Sequence, residues 1–185
     1  MSRGSTTLAP LLFRWLVVAA QGGTLWITWP LWQNRVMPPM LPAIAAANEA
    51  GIPVVVVTNQ SGIARGYFGW SVFAAVNGRV LDLLYDQGVF VDMVLACAYH
   101  EAGVGPLGVS DHPMRKPNPG MLIEAGKRLD LDLQRSLIVG DKLADRQTGK
   151  RAGLAQGWLV DGEAAVRGYF AASRTPFPDQ GNEII

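Results

Sequence analysis

The sequence predicts an α/β fold: a mostly parallel sheet flanked by helices in a Rossmann-like arrangement. Three observations carry this. Apolar runs of four to six residues recur along the chain, the length of buried strands. Longer segments of helical period separate them, as the crossovers between parallel strands require. Gly, Pro and Asn cluster where one pattern gives way to the next.

The elements follow in order. Strands are expected at Leu16–Ala19, Pro53–Val57, Met93–Cys97, Ser136–Val139 and Ala155–Leu159. Their Val, Ile and Leu content suits strands buried on both faces. Helices are expected at Met40–Ala50, Trp70–Gln87, Pro119–Leu129 and Leu143–Ala152. Gly51 and Gly153 stand where a C-cap glycine belongs, and Asn118 with Pro119 reads as an N-cap and first turn. Residues 98–115 form a long loop rich in Gly, Pro and His, of the kind that is usually functional.

The 185 residues suit a single domain over 1–185, with residues 1–13 and 175–185 loosely ordered. A net charge of +1, with only 17% charged residues, argues against a nucleic-acid partner and against disorder. One cysteine excludes a disulfide framework and fits a cytoplasmic protein. No apolar run reaches the roughly 18 residues of a membrane span, so no membrane partner is expected. Arg14 splits the N-terminal apolar run and no clean cleavage site follows, so a buried first strand explains it better than a secretion signal.

Chemistry-bearing residues gather at strand ends. After the second strand, Thr58, Asn59, Gln60, Ser61 and Gly62 offer a hydroxyl, two amides and a turn able to hold an anionic oxygen, with Arg65 close behind. An ordinary Asn/Ser/Gly turn is the plainer alternative. Arg115-Lys116-Pro117-Asn118-Pro119 places two cations in a rigid frame at a helix start, either a phosphate clamp or a solvated pair. Asp141 ends the fourth strand and Asp145 follows four residues later. Their hard oxygens suit Mg²⁺, although a first-turn acid at position 145 also has a helix-dipole explanation.

Three runs in order, TNQSGIARGYF at Thr58–Phe68, RKPNPGM at Arg115–Met121 and VGDKLADRQTGKRAG at Val139–Gly153, resemble the haloacid dehalogenase phosphatases. The likeness is to the branch acting on D-glycero-D-manno-heptose 1,7-bisphosphate and histidinol phosphate. It spans about Met40–Leu159 and implies the haloacid dehalogenase fold without a large cap domain. It also implies a sugar-phosphate substrate, and a monomer is expected. By this resemblance Thr58 steadies the phosphoryl group, Lys116 neutralises it and Arg115 recognises the substrate. Asn59, Gln60 and Ser61 line the pocket, and Asp141 with Lys142 holds the Mg²⁺ side.

The resemblance also implies an aspartate nucleophile at the end of the first strand and a second aspartate, the general acid/base, two residues later. The matching stretch here is Ala20-Gln21-Gly22-Gly23-Thr24, so both carboxylates are replaced. Losing a nucleophile costs other enzymes on the order of 10⁶ in turnover. The chain is therefore expected to hydrolyse poorly or not at all. The alternative in a different class is a pseudophosphatase that binds a sugar phosphate or a partner protein without turnover. Trp15, Trp26, Trp29 and Trp32, four of the six tryptophans, surround this turn. Both genuine degeneration and a local shift of reading frame would produce such an island.

Relatives often carry a structural zinc in the long loop, held by three cysteines and a histidine. Here Cys97, His100 and His112 remain, with Asp111 nearby, while Tyr99 and Met114 stand at two ligand positions. Met is a soft, poor zinc ligand. A metal-free loop packed by prolines and apolar residues is expected, against a mixed Cys97/His100/Asp111/His112 site as the alternative.

Overall fold

The computed structural model describes residues 16–21, 41–140, 142–154 and 156–159. The expected stretches 1–13 and 175–185, together with Gly22, Gly23, Thr24 and Asp141, lie outside the described residues.

Five strands form one parallel sheet: β1 (Leu16–Gln21), β2 (Val54–Asn59), β3 (Met93–Cys97), β4 (Leu137–Gly140) and β5 (Gln156–Leu159), in spatial order β3-β2-β1-β4-β5. The chain winds one way from β1 to β3 and the other way through β4 and β5, so the strand order reverses at β1. Crevices at the carboxyl ends of strands beside such a reversal are where open α/β sheets bind ligands.

Helices α1 (Leu41–Glu49), α2 (Ser61–Ala64), α3 (Trp70–Tyr85), α4 (Gly120–Leu129) and α5 (Leu143–Ala152) connect the strands. The two-residue period of β2 and β4 divides the core between the sheet's two faces. Val55, Val57 and Ile138 pack with Met121, Leu122 and Ala125 of α4. Val54, Leu137 and Val139 pack with Ile44 and Ala47 of α1 and Leu84 of α3. Helices therefore cover both faces, which is why the strands read as continuous apolar runs. Among the described residues, no helix is long and apolar enough to cross a membrane.

Several boundaries differ from the sequence expectation. β2 runs on through Thr58 and Asn59, placing them in the ladder beside β1 instead of in the following turn. Periodicity gave no reason to extend it, because the next side chains are polar. The four-residue α2 and short 3₁₀ turns at Gly105–Leu107 and Leu133–Arg135 were not anticipated, being too brief to show a period. Asn118 does not cap α4. Pro119 holds the N-cap position without a side-chain bond, and Asn118 turns instead to the preceding loop. Gly153 closes α5 at φ 77°, in the left-handed region, as a C-cap glycine should.

Two polar clamps fix the sheet edge. Asn48 of α1 exchanges both amide hydrogen bonds with the backbone of Phe90, at 2.7 and 3.2 Å. The Asp92 carboxylate accepts the Val54 N–H at 2.6 Å. At the other side of the site, a Cβ built on Gly140 runs into the Asp145 carboxylate. The end of β4 is therefore glycine because an acid from α5 occupies its side-chain space.

Gly140→Ala is accordingly expected to lower stability by roughly 1–3 kcal/mol, the usual cost of overpacking. Urea unfolding monitored by circular dichroism measures it. An unshifted midpoint would mean that Asp145 does not pack against this backbone.

Candidate active site

The ends of β2, β1 and β4 bring the predicted residues to one edge of the sheet. Ala20 is in register with Thr58, and Ala19 is in register with both Val57 and Gly140. The first-strand vacancy thus lies directly beside the threonine expected to steady a phosphoryl group. Asp141 follows Gly140 in the chain but lies outside the described residues.

Thr58, Asn59, Gln60 and Ser61 are all buried. Thr58 Oγ1 accepts a 3.0 Å bond from Gln60 Nε2, which leaves its own hydroxyl hydrogen to donate elsewhere. Gln60 is held in turn by its backbone N–H on the Cys97 carbonyl at 2.7 Å. Asn59 has a different use from the pocket lining that was expected. Its amide donates to the Lys116 carbonyl at 3.0 Å and accepts the Lys116 N–H at 3.1 Å. It grips the backbone of the residue expected to meet the phosphate, and so acts as a positioning residue.

Lys116 precedes a cis proline peptide and is 2% exposed. Its Nζ donates to the Val57 carbonyl at 3.0 Å and pairs with Asp145 Oδ1 at 2.7 Å, both side chains being fully buried. The second carboxylate oxygen, Oδ2, accepts the Lys142 N–H at 3.0 Å and caps α5. Asp145 is thus spent on Lys116 and on the helix start, not held ready for a cation. Sequence reading missed this pairing because 29 positions separate the partners and nothing local signals it.

Magnesium requires oxygen ligands, usually one or two carboxylates. Position 20 carries alanine and position 22 glycine, and both Asp145 oxygens are engaged. Among the described residues at this strand edge the carboxylate is Asp145, taken up by Lys116 and by the start of α5, while Asp141 lies outside them.

The loop side contributes Arg115 and Arg65. Arg115 is half-buried and donates from Nη1 to the Tyr99 carbonyl at 2.9 Å. Arg65 is exposed, bonds Ser61 Oγ at 3.0 Å and lies over the Tyr67 ring at 4.8 Å.

The mixed metal site considered for the loop is not brought together. Among the described residues, no three His, Cys, Asp or Glu side chains are grouped to hold a metal ion. The Tyr99 and His112 rings stack instead, 3.6 Å apart and 12° from parallel. His112 Nδ1 accepts the Met114 N–H at 3.1 Å, and His100 Nδ1 accepts the Ala102 N–H at 3.0 Å. Asn118 donates to Asp111 at 2.7 Å and to the His112 carbonyl at 3.2 Å, and accepts from Arg151 of α5 at 2.8 Å. Cys97 is buried, and burial pushes its thiol pKa up against the smaller opposing effects of a backbone bond at Tyr99 and the Arg115 charge. Burial, then the positive charges of Arg115 and Arg65, hold the His100 pKa below its ordinary value, partly offset by Glu101.

The haloacid dehalogenase-like hydrolase family model matches residues 24–153, beginning just after both vacant positions. The chain belongs to that family. A Mesorhizobium japonicum protein named D-glycero-beta-D-manno-heptose-1,7-bisphosphate 7-phosphatase is 87% identical over 134 residues, 72% of this chain and 62% of that protein. The crystal structure of a HAD-like phosphatase from Mesorhizobium loti superposes with TM-score 0.79 at 63% identity, over 92% of this chain and 90% of that one. The D,D-heptose 1,7-bisphosphate phosphatase of B. bronchiseptica, solved with magnesium and phosphate, superposes with TM-score 0.66 at 29% identity, covering 91% of this chain and 89% of that one.

The buried pair generates a stability prediction. Asp145→Ala strands an unpaired ammonium in the core and is expected to cost roughly 3–5 kcal/mol. The double variant Lys116→Met/Asp145→Leu is expected to recover most of that loss in the same urea assay. A second prediction concerns Cys97. With its pKa raised, the thiol stays protonated at mildly alkaline pH. Iodoacetamide at pH 8 should label the native chain far more slowly than the urea-unfolded chain, and equal rates would contradict the burial.

Proposed function

We propose that this chain is a sugar-phosphate-binding member of the heptose-bisphosphate phosphatase lineage. Its site clamps a phosphate monoester and hydrolyses it poorly or not at all. The observation that carries this reading is the pairing of Ala20 with Thr58 across β1 and β2, while Lys116 remains anchored beside them. In this reading the Thr58 hydroxyl and the Lys116 ammonium hold phosphoryl oxygens and Arg115 meets the rest of the ligand, but no side chain at position 20 can attack phosphorus. Anion binding needs donors and charge, and neither depends on a nucleophile.

The substrate class rests on the 87%-identical relative and its name. A small sugar phosphate, bound by a cytoplasmic monomer, is the corresponding partner. Magnesium, as the family resemblance implies, would sit at the end of β4. Asp141 and Lys142 remain the proposed residues on that side. The first-strand carboxylates would also repel a dianionic phosphate, so their replacement favours binding while removing turnover.

The test uses purified protein whose intact mass confirms alanine at 20 and glycine at 22. Calorimetry is expected to show sugar-phosphate binding that Thr58→Ala weakens by about tenfold, as for a lost hydrogen bond to a charged group. Binding should be no tighter in Ala20→Asp/Gly22→Asp, and phosphate release should stay at background with or without millimolar Mg²⁺. Brisk Mg²⁺-dependent release by the natural chain, abolished in Asp141→Ala, would overturn the binding-only reading in favour of an active phosphatase.

A further inference from the structure

Thr58 stands in the parallel ladder between Ala20 of β1 and Ala96 of β3. Residues in register on adjacent strands share a face of the sheet, so the side chains flanking Thr58 across both edges are methyl groups. Neither can exchange a hydrogen bond with the hydroxyl. Thr58 is 2% exposed, so bulk water has little access to it either. Among the described residues the partner of its Oγ1 is Gln60 Nε2, at 3.0 Å.

Gln60 is placed for that contact. Its N–H donates to the Cys97 carbonyl at 2.7 Å, and its carbonyl accepts the Ile63 N–H at 3.1 Å as α2 begins. The backbone is thus held on both sides, between the end of β2 and the first turn of α2. From there the side chain folds back two residues, and Gln60 is 3% exposed. An amide nitrogen only donates, whereas a hydroxyl both accepts and donates one hydrogen. With Nε2 facing it, Oγ1 accepts. The hydroxyl hydrogen then points away from Gln60, toward an acceptor that the described residues do not supply.

We propose that Gln60 is a positioning residue that sets the hydrogen-bond polarity of the Thr58 hydroxyl, so that the end of β2 receives oxyanions, which only accept, in preference to groups that donate. This deepens, and rests on, the reading of Thr58 and Lys116 as a phosphate cradle. The vacancy on β1 gives Gln60 its weight. A carboxylate at position 20 would stand beside the hydroxyl as a second partner and would accept its hydrogen. With alanine there, the Gln60 amide is the side chain that fixes the direction among the described residues.

Two measurements test the proposal. In the natural chain, NMR is expected to show the Gln60 side-chain amide hydrogens exchanging with solvent far more slowly than those of the exposed Gln87, and exchanging faster in Thr58→Val. Calorimetry with inorganic phosphate then follows the polarity. In Gln60→Glu the new carboxylate can only accept, so it draws the hydroxyl hydrogen to itself. Its loss of phosphate affinity is expected to be at least about tenfold larger in the natural background than in Thr58→Val, where the added charge acts but no hydroxyl remains to be turned. Gln60→Met should cost less than Gln60→Glu, and nothing further once position 58 is valine. An equal loss for Gln60→Glu in both backgrounds would overturn the proposal, since charge would then be the whole effect. Fast exchange of the Gln60 amide in the natural chain would overturn it as well. A slowly exchanging, Thr58-dependent amide without phosphate binding would keep the polarity set by Gln60 and overturn the cradle.

Discussion

The buried ion pair between Lys116 and Asp145 is the constraint on which the site depends. Two charges in a dry interior carry a desolvation cost of several kcal/mol each, recovered only when geometry and further hydrogen bonds are good. Here the 2.7 Å pair is backed by the Val57 carbonyl on one partner and the Lys142 N–H on the other. Asn59 adds two bonds to the Lys116 backbone. A strand, a loop and a helix start thus meet at one pair of charges, and none of the three can move without leaving a buried charge unpaired. The site's rigidity comes from this arrangement.

Most of the fold was legible because a parallel sheet writes itself plainly. Each of the five strands was anticipated within one or two residues, and α5 was anticipated at both ends. Repeated apolar runs between helical segments admit few other architectures. What sequence reasoning missed is the non-local polar chemistry. Asn59 looked like pocket lining, Asp145 like a first-turn acid and Asn118 like an N-cap, since each has a sound local explanation. Their partners lie 57, 29 and 33 positions away, and no periodicity encodes such distances. The motif residues are legible as donors, cations and acids at strand ends, and family resemblance links the distant runs that spacing alone cannot join.

β1 shows why the fold survives the vacancy. A central parallel strand needs a short apolar run and backbone groups free to pair on both edges. Leu16–Gln21 meets both needs, laddering with β2 over its whole length and with β4 over four residues. The catalytic carboxylate of the family contributes nothing to this pairing. The ladder therefore makes no demand on which side chain stands at position 20, and the strand forms with alanine there.

In the long loop, Tyr99 stacks on His112 and Asn118 ties Asp111 and His112 to Arg151 of α5. Stacking and hydrogen bonding order these positions, and the Tyr99 carbonyl holds Arg115. The two cations expected to face the ligand are thus fixed by main-chain oxygens, Val57 for Lys116 and Tyr99 for Arg115. Main-chain oxygens persist through any substitution that preserves the strand or loop carrying them. Under the proposed reading, a binding site anchored this way outlasts changes in its reactive side chains.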